Sequence, residues 1–213
     1  MFNCIRKITV HPLFFFCLAW IVLTDSSVSL LCVMTSVFVH ECGHIFVYRY
    51  ANVVINEIHF QPFGVRITVR NEAFISPRTQ FWCAFAGPCM NFVCVCICLL
   101  IGRFTVLPEW IMIFYLSNLF LGIFNLLPII PLDGSRMLHV ILSALLGEYM
   151  AQILCAWISL LVGIGVLVCG IYVVIDSGIN ISLCVLAGYI LICLAVKIYY
   201  YLKKRISNVK PKT

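Results

Sequence analysis

Charge is what this 213-residue sequence has least of: Asp, Glu, Lys and Arg together make up 10% of it, and only 8 residues are acidic. Soluble domains carry about 25% charged residues, so a surface facing water on all sides is excluded. It has no low-complexity segment and no polar stretch long enough for a separate soluble domain. It also lacks an internal repeat, which argues against the paired halves common among transporters. Arg6 and Lys7 precede an apolar stretch, but no small-residue cleavage site follows. The N-terminus therefore reads as an uncleaved first span rather than a signal peptide.

What is abundant is apolar: 63% of residues are hydrophobic, with a mean hydropathy of +1.10. A bilayer crossing takes roughly 20 apolar residues, so this length accommodates about six crossings with short connections. Apolar runs predict spans near Leu13–Leu23, Val28–Tyr48, Phe81–Ile101, Leu107–Ile130, Ile153–Ile175 and Ile181–Tyr201. With the N-terminus in the cytoplasm, only Arg103 of the 14 basic residues falls outside, the asymmetry that the positive-inside rule demands. The expected fold is an all-α polytopic membrane protein of about six transmembrane helices with a small membrane-associated β-hairpin. Residues 1–202 would form the membrane domain, and 203–213 a basic cytoplasmic tail near anionic headgroups.

The 13 cysteines lie mostly inside apolar runs and read as small buried hydrophobes. Cys94, Cys96 and Cys98 alternate, which on a helix turns neighbours about 200° apart and prevents them converging on a metal. Two connections look structured. Glu57 to Arg70 alternates apolar and polar residues around Pro62-Phe63-Gly64 and predicts a β-hairpin. One strand edge of it would accept an added strand through main-chain bonds; the alternative is a loop that anchors through Arg66 and Arg70. Ser135 to Tyr149 predicts a helix along the interface or a continuation into the next span.

His40-Glu41-Cys42-Gly43-His44 ends the second apolar run and has the HExxH pattern. On a helix the two histidines share one face and can reach one zinc ion, while Glu41 projects from a neighbouring direction and can serve as general base. The competing reading, polar residues satisfied by adjacent helices, is costly in lipid, at about 3 kcal/mol for each ionisable side chain at mid-membrane. A catalytic zinc takes three protein ligands and keeps one open position. The best third candidate is Asp133 in Asn125-Leu-Leu-Pro128-Ile-Ile-Pro131-Leu-Asp133-Gly134, where the prolines break the helix and Gly134 allows a tight turn. Its alternative role is that of a turn or capping residue. His11, His59 and His139 have no partner at ligand spacing.

HECGH and NLLPIIPLDG, with Ala86-Gly87-Pro88 and Asn91 as a third element, resemble the site-2 protease family of intramembrane zinc metalloproteases. Within it, the His11-Pro12 entry, the Pro62-Phe63-Gly64 turn and the six-span layout are most similar to the sporulation proteases of the stage IV FB type. The resemblance runs from Val10 to about Tyr201. It implies zinc as cofactor, His40, His44 and Asp133 as its ligands, and Glu41 as catalytic acid and base. It also implies Asn125 as the holder of substrate backbone or oxyanion, its alternative being to satisfy carbonyls freed by Pro128 and Pro131. Gly87 and Pro88 would shape helix packing beside the site or serve plain packing, and Asn91 would be a polar support.

The implied reaction is peptide-bond hydrolysis in or next to a membrane segment of a regulatory protein, which in a spore-forming source would be a sigma-factor precursor. The implied setting is a bacterial cell or forespore membrane, with no nucleic-acid partner; regulatory membrane partners and a homo-oligomer stay open. Many relatives carry a C-terminal CBS domain, and regulation by that route is not expected from the residues given. The rival from another class is a metal-ion transporter using the same His and Asp residues. A silent scaffold is disfavoured because HECGH keeps its glutamate.

Overall fold

The computed structural model describes residues 5–10, 27–61, 64–69, 75–177, 185, 188–189 and 191–196. The expected first span, much of the sixth, the Pro62-Phe63 turn and the basic tail lie outside the described residues. The chain divides into two compact units, Met1–Asn125 and Leu126–Thr213.

The first unit contains strand β1 (Ile5–Val10), helix α1 (Ser27–Tyr50), strands β2 (Ile55–Gln61) and β3 (Gly64–Val69), and helices α2 (Pro77–Gly102) and α3 (Glu109–Asn125). At 1.5 Å per residue, α1 and α2 are each longer than the roughly 30 Å hydrocarbon core. After α1 ends at Tyr50 the chain turns at Asn52, which adopts a left-handed φ of 56°. This lets the Val53 N–H reach back to the Tyr48 carbonyl at 2.9 Å, so a carbonyl at the helix end is satisfied. Helix α2 begins where Ser76 accepts the Thr79 N–H at 3.2 Å and Pro77 occupies the first turn, where its missing donor costs nothing.

Small residues along one face of α2 (Cys83, Ala84, Ala86 and Gly87) are buried and permit close helix packing. Gly43 of α1 uses that closeness, since a Cβ there would lie 2.5 Å from the Ala86 carbonyl oxygen. Below this contact Tyr48, Ile55 and Cys83 form an apolar cluster that joins α1 and α2 to the sheet.

The hairpin is present as β2 and β3, antiparallel from Ile55↔Val69 to Gln61↔Gly64. The expectation of a hairpin alone is corrected: β1 pairs in parallel with β2, from Ile5↔Ile55 to Val10↔Phe60, and makes a three-stranded sheet. Ile5-Arg6-Lys7-Ile8-Thr9-Val10 was expected only to lead into a span, but its β-branched residues suit a strand. The predicted Leu107–Ile130 span is also shorter in fact. Helix α3 stops at Asn125, three residues before Pro128, and its 17 residues reach about 26 Å.

The second unit contains α4 (Asp133–Leu146) and α5 (Glu148–Ser177). The segment expected from Ser135 to Tyr149 is a separate helix that starts at Asp133. It ends at Gly147, whose φ of 81° interrupts the helical path before α5 begins. The non-helical residues before α4 are held from α5: the Ser159 hydroxyl accepts the Ile130 N–H at 3.1 Å and donates to the Pro128 carbonyl at 3.2 Å.

Among the described residues, three helices are long and apolar enough to cross a bilayer: Val28–Tyr50, Pro77–Gly102 and Glu148–Asp176. Large side chains such as Leu31, Phe38, Phe46, Trp157 and Leu161 stand more than half exposed on them, as lipid-facing residues do.

Candidate metal centre

His40 and His44 project from one face of α1 and are 5% and 6% exposed, a burial that requires partners. The two rings meet edge to face. His44 Nδ1 lies 2.6 Å from the Cys83 carbonyl oxygen, and a carbonyl can only accept. His44 therefore carries its proton on Nδ1 and presents a lone pair at Nε2. His40 Nδ1 lies 2.6 Å from Asn91 Oδ1, which asks the same of it. The two Nε2 atoms then face one another at 3.2 Å. Two lone pairs at that distance repel unless a cation lies between them. Two nitrogens bound to one tetrahedral zinc, each about 2.0–2.1 Å from it, sit roughly 3.3 Å apart. The donor set fits zinc, with each ring anchored through its other nitrogen as metal-binding histidines require.

Helix α2 leaves room for this. A Cβ at Gly87 would overlap Nε2 of both histidines, so this position needs glycine for space rather than for backbone freedom. The sequence offered Gly87 either as a residue beside the site or as plain packing, and its hydrogen faces the two nitrogens.

Asn91 was expected as a general polar support; it contacts His40 itself and is fully buried. Behind it stand two residues that sequence reasoning missed. Asn91 Nδ2 donates to Asn118 Oδ1 at 2.9 Å, and Asn118 Nδ2 donates to Ser36 Oγ at 2.8 Å and to the Phe114 carbonyl at 2.9 Å. The available signal was an asparagine in the middle of an apolar helix, where a buried amide must find partners on its neighbours. Glu41 follows His40 on α1 and is half-buried.

Asn125 closes α3 and donates to the Leu121 carbonyl at 3.0 Å, one turn back in its own helix. In the second unit, Asp133 is buried and is the first residue of α4. Leu132 holds the N-cap position, so Asp133 is not the capping residue. Gly134 does not adopt a left-handed conformation. It is small because the Leu126 and Leu127 carbonyls press against it, and a Cβ would collide with both. His139 pairs instead with Glu148 across Gly147, at 3.4 Å. His11 lies outside the described residues, and the described cysteines are free thiols.

A buried HExxH helix with both Nε2 atoms converging, set among membrane-length helices, defines a membrane-embedded metallopeptidase class of site. Residues 28–108 and 104–169 match Peptidase family M50, and the chain belongs to that family. It is 29% identical over 140 residues to stage IV sporulation protein FB of Bacillus subtilis, covering 65% of this chain and 49% of that protein. To a zinc metalloprotease of Methanocaldococcus jannaschii it is 33% identical over 116 residues, 53% of this chain and 33% of that one. The chain thus spans half or less of the length of these curated relatives. The structure of a site-2 protease from Methanocaldococcus jannaschii aligns with a TM-score of 0.68 at 25% identity, covering 92% of this chain and 91% of the other. Together with its apolar helices, this makes the chain an integral membrane protein of the site-2 protease fold.

Proposed function

We propose that the protein is an intramembrane zinc endopeptidase that hydrolyses a peptide bond within or next to a membrane segment of a regulatory protein. The observation that carries this reading is the His40–His44 pair, with Nε2 atoms 3.2 Å apart and both Nδ1 atoms anchored on α2. In this reading His40, His44 and Asp133 hold the metal. A zinc ion held there would lower the pKa of a water toward about 7 and polarise a carbonyl.

Glu41 takes the proton from the attacking water and returns it to the leaving amine. Asn125 spends one N–H on the Leu121 carbonyl, and the reading assigns its other N–H to the substrate backbone. A helical substrate hides its peptide bonds in intrahelical hydrogen bonds, so it must be held extended. The outer edge of β3, which pairs only with β2 among the described residues, is assigned that task.

The finer reading, supported by the likeness to stage IV sporulation protein FB, takes a sigma-factor precursor as substrate in a spore-forming source. The test is co-expression of a tagged precursor with wild type and with Glu41→Gln, alongside elemental analysis of both purified proteins. Cleavage by wild type alone, with zinc in both, is the expected result. Equal cleavage by Glu41→Gln would overturn the catalytic reading.

A further inference from the structure

We propose that Asn118 is a positioning residue that fixes which nitrogen of His40 carries the proton, acting through Asn91. The inference rests on the zinc reading above and concerns how one ligand is kept ready.

The hydrogen-bond chain has a direction set at its far end. The Phe114 carbonyl can only accept, so the amide nitrogen of Asn118 must face it at 2.9 Å. The Ser36 hydroxyl spends its proton on the Cys32 carbonyl at 2.9 Å, so it too accepts from Asn118, at 2.8 Å. With its nitrogen so committed, Asn118 presents Oδ1 to Asn91. Asn91 must answer with its NH2, at 2.9 Å, and turn its own Oδ1 to His40 Nδ1. An oxygen there demands Nδ1–H, which leaves the lone pair on Nε2, the atom facing His44.

If Asn91 were reversed, its NH2 would face His40, move the proton to Nε2 and block that nitrogen as a ligand. Among the described residues, the only other group holding Asn91 in its observed sense is the Ser36 carbonyl, at 3.4 Å, near the limit of a hydrogen bond. Asn91, Asn118 and Ser36 are all 1% exposed or less, so no solvent can substitute for a lost partner. His44 needs no such relay because a backbone carbonyl holds it directly.

The experiment uses the full chain in detergent, labelled with 15N-histidine and freed of metal, with the His40 signals assigned by their loss in His40→Gln. Wild type is expected to show His40 protonated on Nδ1. In Asn118→Leu a population protonated on Nε2 should appear, and affinity for zinc, measured by chelator competition, should fall about 10- to 100-fold. Adding Asn91→Asp should restore affinity, because a carboxylate accepts with either oxygen and cannot be reversed. A packing role for Asn118 predicts no such rescue.

Wild-type zinc affinity in Asn118→Leu, or failure of Asn91→Asp to rescue it, would overturn the proposal. If Asn118→Leu does not fold, the wild-type spectrum still decides: His40 protonated on Nε2 refutes the relay. Nδ1 protonation in a protein that binds no zinc would instead refute the zinc reading and leave the relay standing.

Discussion

The two units solve the same problem, a polar group in lipid, by different means. In the first, the histidines stand on a regular helix whose backbone is already satisfied, and the difficulty is aiming two rings. Side-chain amides and one backbone carbonyl from neighbouring helices do the aiming. In the second, the residues before Asp133 leave the helical path, and the difficulty is the backbone itself. There a single serine, fully buried on α5, serves both an N–H and a carbonyl of the proline segment. A ligand on a helix needs orientation from outside, whereas one that follows a break needs its backbone polar groups supplied with partners.

The sharpest way to break this comparison is to remove the proposed ligands. His40→Ala, His44→Ala and Asp133→Ala are each expected to abolish stoichiometric zinc in purified protein. Full occupancy in Asp133→Ala would remove the second unit from the metal altogether. A smaller loss is expected from Gly87→Ala, whose methyl would displace both Nε2 atoms. Chelator competition should show zinc affinity falling at least about tenfold, as for other disturbances of ligand support, with helix content by circular dichroism unchanged.

Ser159→Ala should cost about 1–3 kcal/mol in unfolding free energy, the penalty for burying an unsatisfied backbone group. Ser36→Ala should cost less within the same range, because it orphans a single N–H of Asn118, whereas Ser159→Ala orphans both a backbone N–H and a carbonyl. Denaturant titration in mixed micelles checks both, and an inverted order would show that the first unit is the less redundant of the two.

The three membrane-length helices α1, α2 and α5 and the histidine pair were legible in the sequence because each rests on local information: apolar runs of membrane length and a four-residue spacing on one helix face. Gly87 and Asn91 were legible as neighbours of the site, but not in their contacts. Asn118 was marked in its own segment only as an asparagine in an apolar helix, and its partners on other helices were not legible, since they lie 27 and 82 residues away. Strand β1 was missed for a similar reason. Its six residues make a parallel pair with a strand beginning 50 positions on, and so short a segment beside basic residues reads equally well as a flank to a span. The early end of α3 follows from Pro128 and was visible in outline, while Gly147 shows its interrupting role only through its backbone angle.

The anchoring of both histidines on α2 sets an order of events during synthesis. Helix α1 emerges with His40 and His44 already four residues apart, but the carbonyl that holds His44 is made 39 residues later and the amide that holds His40 51 residues later. At roughly 5–20 residues per second, the nascent helix waits about 3–10 s for the second of these. Until α2 inserts and docks through Gly43 and Gly87, the two rings are free to rotate apart. In the proposed reading, metal capture is thus tied to helix assembly.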